Sequence, residues 1–139
     1  MTKKIKKNSL GNSVRKMQLT RRVEDLTKRL VYTSETDASF EVFVEPEAGD
    51  FYRDLEKENR PIEEISSDKF FERLVKIQDW HGDKEKETAL NFLRLKEFLD
   101  SNLTDTRVFR IGRVQIAIYI AGLDEDGKMI GVKTRAIET

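Results

Sequence analysis

Apolar positions along the chain follow two different periods. From about Val14, Val23, Leu26 and Leu30 recur at three- and four-residue intervals while Arg21, Arg22, Lys28 and Arg29 lie elsewhere on the cylinder, which predicts an amphipathic helix. The polar run Thr33-Ser34-Glu35-Thr36-Asp37 is expected to end that helix in a loop, and Phe40-Glu41-Val42-Phe43-Val44-Glu45 then reads as a strand. Pro46, Gly49 and Pro61 interrupt the next stretch, so residues 45–66 are expected to form a long acidic loop with little regular structure.

Helical spacing returns with Phe70, Phe71 and Leu74, in a short helix from Ser67 or Asp68, either of which suits an N-cap, to about Ile77. A loop over Gln78-Asp79-Trp80-His81-Gly82-Asp83 precedes the longest helix, Lys84 to Leu103, in which Phe92, Leu95, Leu99 and Leu103 trace one face, widened by Leu93 and Phe98. The last third is β: Arg107 to Ile111, Val114 to Ala121, and Met129 to about Ile137. The run Val114 to Ala121 is apolar on both faces, which belongs in the middle of a sheet with helices on each side. Asp124-Glu125-Asp126-Gly127-Lys128 is a turn in which Gly127 supplies the positive φ that a hairpin needs. Helix, strand, two helices and three strands predict an α/β (α+β) fold: a three-layer α/β/α sandwich around a small, mainly antiparallel sheet of about four strands. Residues 1–13 lack periodicity and are expected to be a flexible basic tail, with a single domain over 14–139.

Charge changes the picture more than composition does. The net charge is zero, yet residues 1–22 carry eight basic side chains and no acid. Residues 35–68 carry twelve acids against Arg53, Lys57 and Arg60, a balance of 3 − 12 = −9. The first segment could dock nucleic acid or an acidic surface, whereas the second repels nucleic acid and favours a basic partner. No apolar run reaches the ~18 residues of a membrane span, and Asn8, Ser9, Gly11 and Asn12 stand where a signal peptide needs an apolar run. A cytoplasmic location is expected.

Candidate chemistry is sparse. There is no cysteine and one histidine, His81, which excludes thiol catalysis, zinc–thiolate sites and paired-histidine zinc motifs. No GxxxxGK[ST] loop, GxGxxG fingerprint or GxSxG elbow occurs. The expectation is a protein that is not an enzyme and needs no cofactor or metal of its own. Trp80, set among polar residues, is either tucked back over the core or displayed for a partner, and spacing alone favours the first. The final strand leaves only Glu138 and Thr139 beyond it, so a rigid element would hold a terminal carboxylate that in most chains frays.

Several short blocks in order resemble the nuclease A inhibitor family: Ser34-Glu35 with Ser39-Phe40-Glu41-Val42-Phe43, Phe70-Phe71-Glu72-Arg73, Gln78-Asp79-Trp80, and Ser101-Asn102-Leu103. The likeness resumes at Val108-Phe109-Arg110-Ile111-Gly112 and runs to Glu138-Thr139. Residues 45–66 match the family poorly and residues 1–13 have no counterpart. The resemblance implies a small bacterial α/β/α protein that inactivates a sugar-non-specific, magnesium-dependent endonuclease of DNA and RNA. It further implies that Glu35 and Thr139 are directed at the metal of the target nuclease, with Gln78 and Trp80 as anchors. The competing expectation is a module on the same scaffold that binds another protein or, through the basic tail, nucleic acid.

Overall fold

A computed structural model of the chain describes residues 18–139. The basic segment 1–13 and the expected start of the first helix lie outside that range. Residues 18–27 are helical (α1), and Val23 and Thr27 on its inner face are buried. The Thr27 hydroxyl donates back to the Val23 carbonyl at 2.9 Å, and the Leu30 N–H closes a turn on the Thr27 carbonyl at 3.0 Å. The helix therefore ends before Leu30, which is buried in the turn that follows.

The next residues depart from expectation. Val31–Thr33 (β1) and Asp37–Ser39 (β2) pair as an antiparallel ribbon, Tyr32 opposite Ala38 and Thr33 opposite Asp37, so Ser34-Glu35-Thr36 is a hairpin connection and the run Thr33 to Asp37 is not a helix-ending loop. Then come β3 (Glu41–Glu45), α2 (Ala48–Glu56), β4 (Ile62–Ser66), α3 (Ser67–Glu72), α4 (Asp83–Asn102), β5 (Thr104–Ile111), β6 (Gln115–Leu123) and β7 (Met129–Ile137). Residues 45–66 thus hold a helix and a strand where a structureless loop was expected. In α2, Phe51 packs against Phe43, Phe109 and Tyr119 at ring separations of 5.3–5.5 Å. In β4, which pairs with β5 from Ile62 to Ser66, Glu63 lies opposite Arg110 and ion-pairs with it, and Glu64, opposite Phe109, reaches diagonally to Arg107, so the charges of the neighbouring strand match those of β4.

Five strands form one antiparallel sheet in the order β3-β7-β6-β5-β4, one more than expected, with the ribbon separate. Strand β6 is central, as its two-sided apolar pattern requires. Ile116, Ile118 and Ile120 on one face of β6, with Val108, Ile130 and Val132, meet Phe70, Phe71, Phe92, Leu95 and Leu99 from α3 and α4 and Val23 from α1. The opposite face, with Phe109, Ala121 and Met129, is covered by Phe51 of α2. Helices thus lie on both faces, giving three layers. Gly131 of β7 lets the sheet close, since a Cβ there would run into the Ile120 carbonyl. Gly127 takes φ +79 in the β6–β7 turn, as expected.

Helix α3 is shorter than its apolar spacing predicts. It is capped by Ser66, whose hydroxyl accepts from the Lys69 N–H at 3.1 Å. Ser67 is unavailable as a cap because it is buried and donates to Asp100 of α4 at 3.4 Å. Helical structure stops at Glu72, a turn follows, and Ile77 is exposed. No helix among the described residues is long and apolar enough to cross a membrane.

Candidate partner-binding site

The hairpin connection between β1 and β2 and the end of β7 meet at one end of the sheet. The ribbon is anchored from below: Tyr32 stacks on Phe70 at 5.6 Å and meets Phe40 edge-on at 6.4 Å, with all three rings buried. From the side, the Thr134 hydroxyl on β7 donates to the Ser39 carbonyl at 2.9 Å. Residues 34–36 are thereby held beside Ile137 by two hydrogen bonds. The Ile137 N–H donates to Ser34 Oγ at 3.0 Å, and the Glu35 N–H donates to the Ile137 carbonyl at 3.2 Å.

The geometry extends this pairing to the last two residues. The Glu138 N–H donates to the Val114 carbonyl at 2.9 Å, and the Thr139 hydroxyl donates to Glu35 Oε1 at 2.6 Å. Two residues 104 positions apart in sequence thus share a hydrogen bond at the surface. They line an open groove of about 550 Å³ with Ser34, Arg73, Arg110 and Glu138. Arg110 rises from β5 with its side chain only 18% exposed and bridges Glu138 on one side and Glu63 at 3.5 Å on the other. Burial works against its charge, but the hydrogen bond and charge of Glu138 and the charge of Glu63 outweigh it and hold the guanidinium above its ordinary value. Arg110 is therefore a fixed cation beneath a rim of oxygens.

The other two expected residues lie in the α3–α4 loop. The Gln78 N–H donates to His81 Nδ1 at 2.9 Å, and the His81 N–H returns a bond to the Gln78 carbonyl at 3.1 Å. With Nδ1 accepting, the neutral imidazole carries its proton on Nε2. This closed turn projects Trp80 outward, 78% exposed, with its ring against His81 at 4.3 Å and 73°. The core-lid position that spacing favoured is thus overturned: the Gln78 and His81 groups on either side of Trp80 bond to each other, and the indole stands in solvent.

The four residues consequently form two groups. Glu35 and Thr139 touch, whereas among the described residues no hydrogen bond, ion pair or ring contact joins either to Gln78 or Trp80. Arg73, at the C-cap of α3 and five residues before Gln78, lies on the groove wall. Ser34, Arg73 and Arg110 line the groove of this candidate site, and the sequence alone assigned them no role. Their side chains gain meaning only from what the fold sets beside them.

The profile of the nuclease A inhibitor-like protein family matches residues 17–139, and the chain belongs to that family. No curated protein matches the chain. The family match covers all described residues from Gln18 onward and therefore includes the ribbon, α2, β4 and both groups of candidate residues.

Proposed function

We propose that this protein is a stoichiometric, non-enzymatic inhibitor that plugs the active site of a magnesium-dependent, sugar-non-specific endonuclease. In this reading Glu35 and Thr139 act at the metal of the target, and Gln78 and Trp80 anchor the complex from the neighbouring loop. The observation that carries it is the convergence of Glu35 and Thr139 at an open rim, 2.6 Å apart, in a member of a nuclease-inhibitor-like family. A magnesium ion takes oxygen ligands and keeps sites open for substrate phosphates. A rim presenting the Glu35 carboxylate and the oxygens of Thr139 offers that ion what a phosphate would. The exposed indole supplies the apolar contact area that oxygen ligands lack, and tryptophan is prominent among residues that dominate interface energy.

Charge supports the same direction. Part of the acidic stretch is neutralised internally, since Arg107 and Arg110 pair with Glu64 and Glu63. Glu35, Asp37 and Asp79 remain exposed around the candidate residues. A nuclease groove built for a polyanion is basic, so these carboxylates speed encounter by steering. Action in the cytoplasm, where a cell needs protection from its own nuclease, fits this role.

The test is an endonuclease assay with a magnesium-dependent, non-specific enzyme of the type this family inhibits. Cleavage of DNA and of RNA is expected to cease as the protein reaches equimolar amounts. Undiminished cleavage of both at tenfold molar excess refutes the reading for that target.

A further inference from the structure

We propose that Ser34 and Arg110 are positioning residues that fix the Glu138–Thr139 segment in its binding geometry before a partner arrives. The inference rests on the functional reading above and adds to it the device that holds the plug. Residues beyond a last strand ordinarily fray, because nothing opposes their conformational entropy. Here Ile137 is the final strand residue, yet both residues after it are tied down.

The ties come from two sides. On the ribbon side, the Ser34 hydroxyl accepts from the Ile137 N–H at 3.0 Å and from the Thr36 N–H at 3.4 Å, and donates to the Thr36 carbonyl at 3.2 Å. The two bonds with Thr36 fix the turn that carries Glu35. The bond with Ile137, together with the Glu35 N–H bond to the Ile137 carbonyl at 3.2 Å, acts as one more rung of pairing between turn and strand. On the sheet side, Glu138 donates its N–H to Val114 at 2.9 Å, and its carboxylate is held by Arg110. Glu63 grips Arg110 from the other direction at 3.5 Å. Since the Arg110 side chain is 18% exposed, the bridge is partly shielded from the water and salt that weaken a surface pair. A held Glu138 keeps the residue after it within reach of Glu35, to which the Thr139 hydroxyl donates at 2.6 Å. Ordering the segment in advance removes that entropic cost from association.

The experiment compares Ser34→Ala and Arg110→Met with wild type by two readouts. The first is ¹⁵N relaxation on the free protein. Wild-type Glu138 and Thr139 are expected near the rigid-backbone order parameter of about 0.85, falling below about 0.6 in either variant while β6 amides stay unchanged. A residue that merely supports the scaffold would loosen the sheet as well. The second readout is inhibition of the endonuclease, expected to weaken about tenfold in each variant, the effect of losing one well-made hydrogen bond. The proposal is overturned if both amides stay ordered in both variants, or if order is lost and inhibition is unchanged. Should Ser34→Ala fail to fold, Arg110→Met alone decides. If wild type does not inhibit, the functional reading fails, and the relaxation data still show whether Ser34 and Arg110 clamp the segment.

Discussion

Replacing Trp80 by alanine separates stability from recognition, and the structure sets both magnitudes. A tryptophan covers about 150–250 Å² when buried. With Trp80 78% exposed in the free protein, most of that area is still available to a partner. At about 25 cal/mol per Å², roughly 160 Å² of newly covered surface contributes about 4 kcal/mol. Immobilising the side chain takes back about 1 kcal/mol. The expected loss of affinity on truncation is about 3 kcal/mol, on the order of a hundredfold. Folding should hardly notice, because the Trp80 ring is exposed and rests against its sequence neighbour His81. Surface substitutions of this kind stay within about 0.5 kcal/mol, a shift in melting temperature under about 2 °C at this size. Circular dichroism melting and titration of the endonuclease measure the two effects on one preparation. A destabilisation above about 2 kcal/mol would show that the indole belongs to the core, and unchanged inhibition would remove it from the interface.

Other substitutions test the fold itself. Phe71 is fully buried between α3 and the sheet, so Phe71→Ala should cost about 3–5 kcal/mol, read as a lower urea midpoint at unchanged slope. Ser66→Ala removes the side-chain cap of α3 and should cost about 1 kcal/mol in the same assay. Raising salt should slow association with the nuclease more than it speeds dissociation, measured by stopped flow, if the exposed carboxylates around the site steer encounter.

Legibility of the fold from sequence follows the strength of each local signal. Helix α4 and strands β5 to β7 are long, with helical spacing in the first and apolar, β-branched-rich runs bounded by Gly112 and the Asp124–Lys128 turn in the strands, so their positions were readable to within a few residues. The ribbon was not, because three-residue strands that each bury a single side chain, Tyr32 or Ala38, leave no period to detect. Strand β4 was hidden for a different reason. Its Glu63-Glu64 pair reads as loop until Arg110 is known to lie opposite Glu63 and Arg107 diagonally from Glu64, so tertiary pairing overrides local preference. Helix α2 is short, flanked by Pro46 and containing Gly49, and buries only Phe51 fully. The candidate site was legible as a set of residues through resemblance alone. That Glu35 and Thr139 touch, that Trp80 points outward, and that Ser34 and Arg110 hold the closing residues depend on contacts no one-dimensional pattern encodes.

The proposed role of Glu35 and Thr139 is to form together the tip that enters the nuclease. Its most direct measurement is a paired inhibition titration of a magnesium-dependent, non-specific endonuclease by the intact protein and by the protein lacking Thr139, with a melting curve for each. The account predicts a break near equimolar for the intact chain, inhibition weaker by at least about tenfold for the shortened one, and closely similar melting, since Thr139 is exposed and bonded through its side chain to Glu35. Equal inhibition by the two proteins would contradict it.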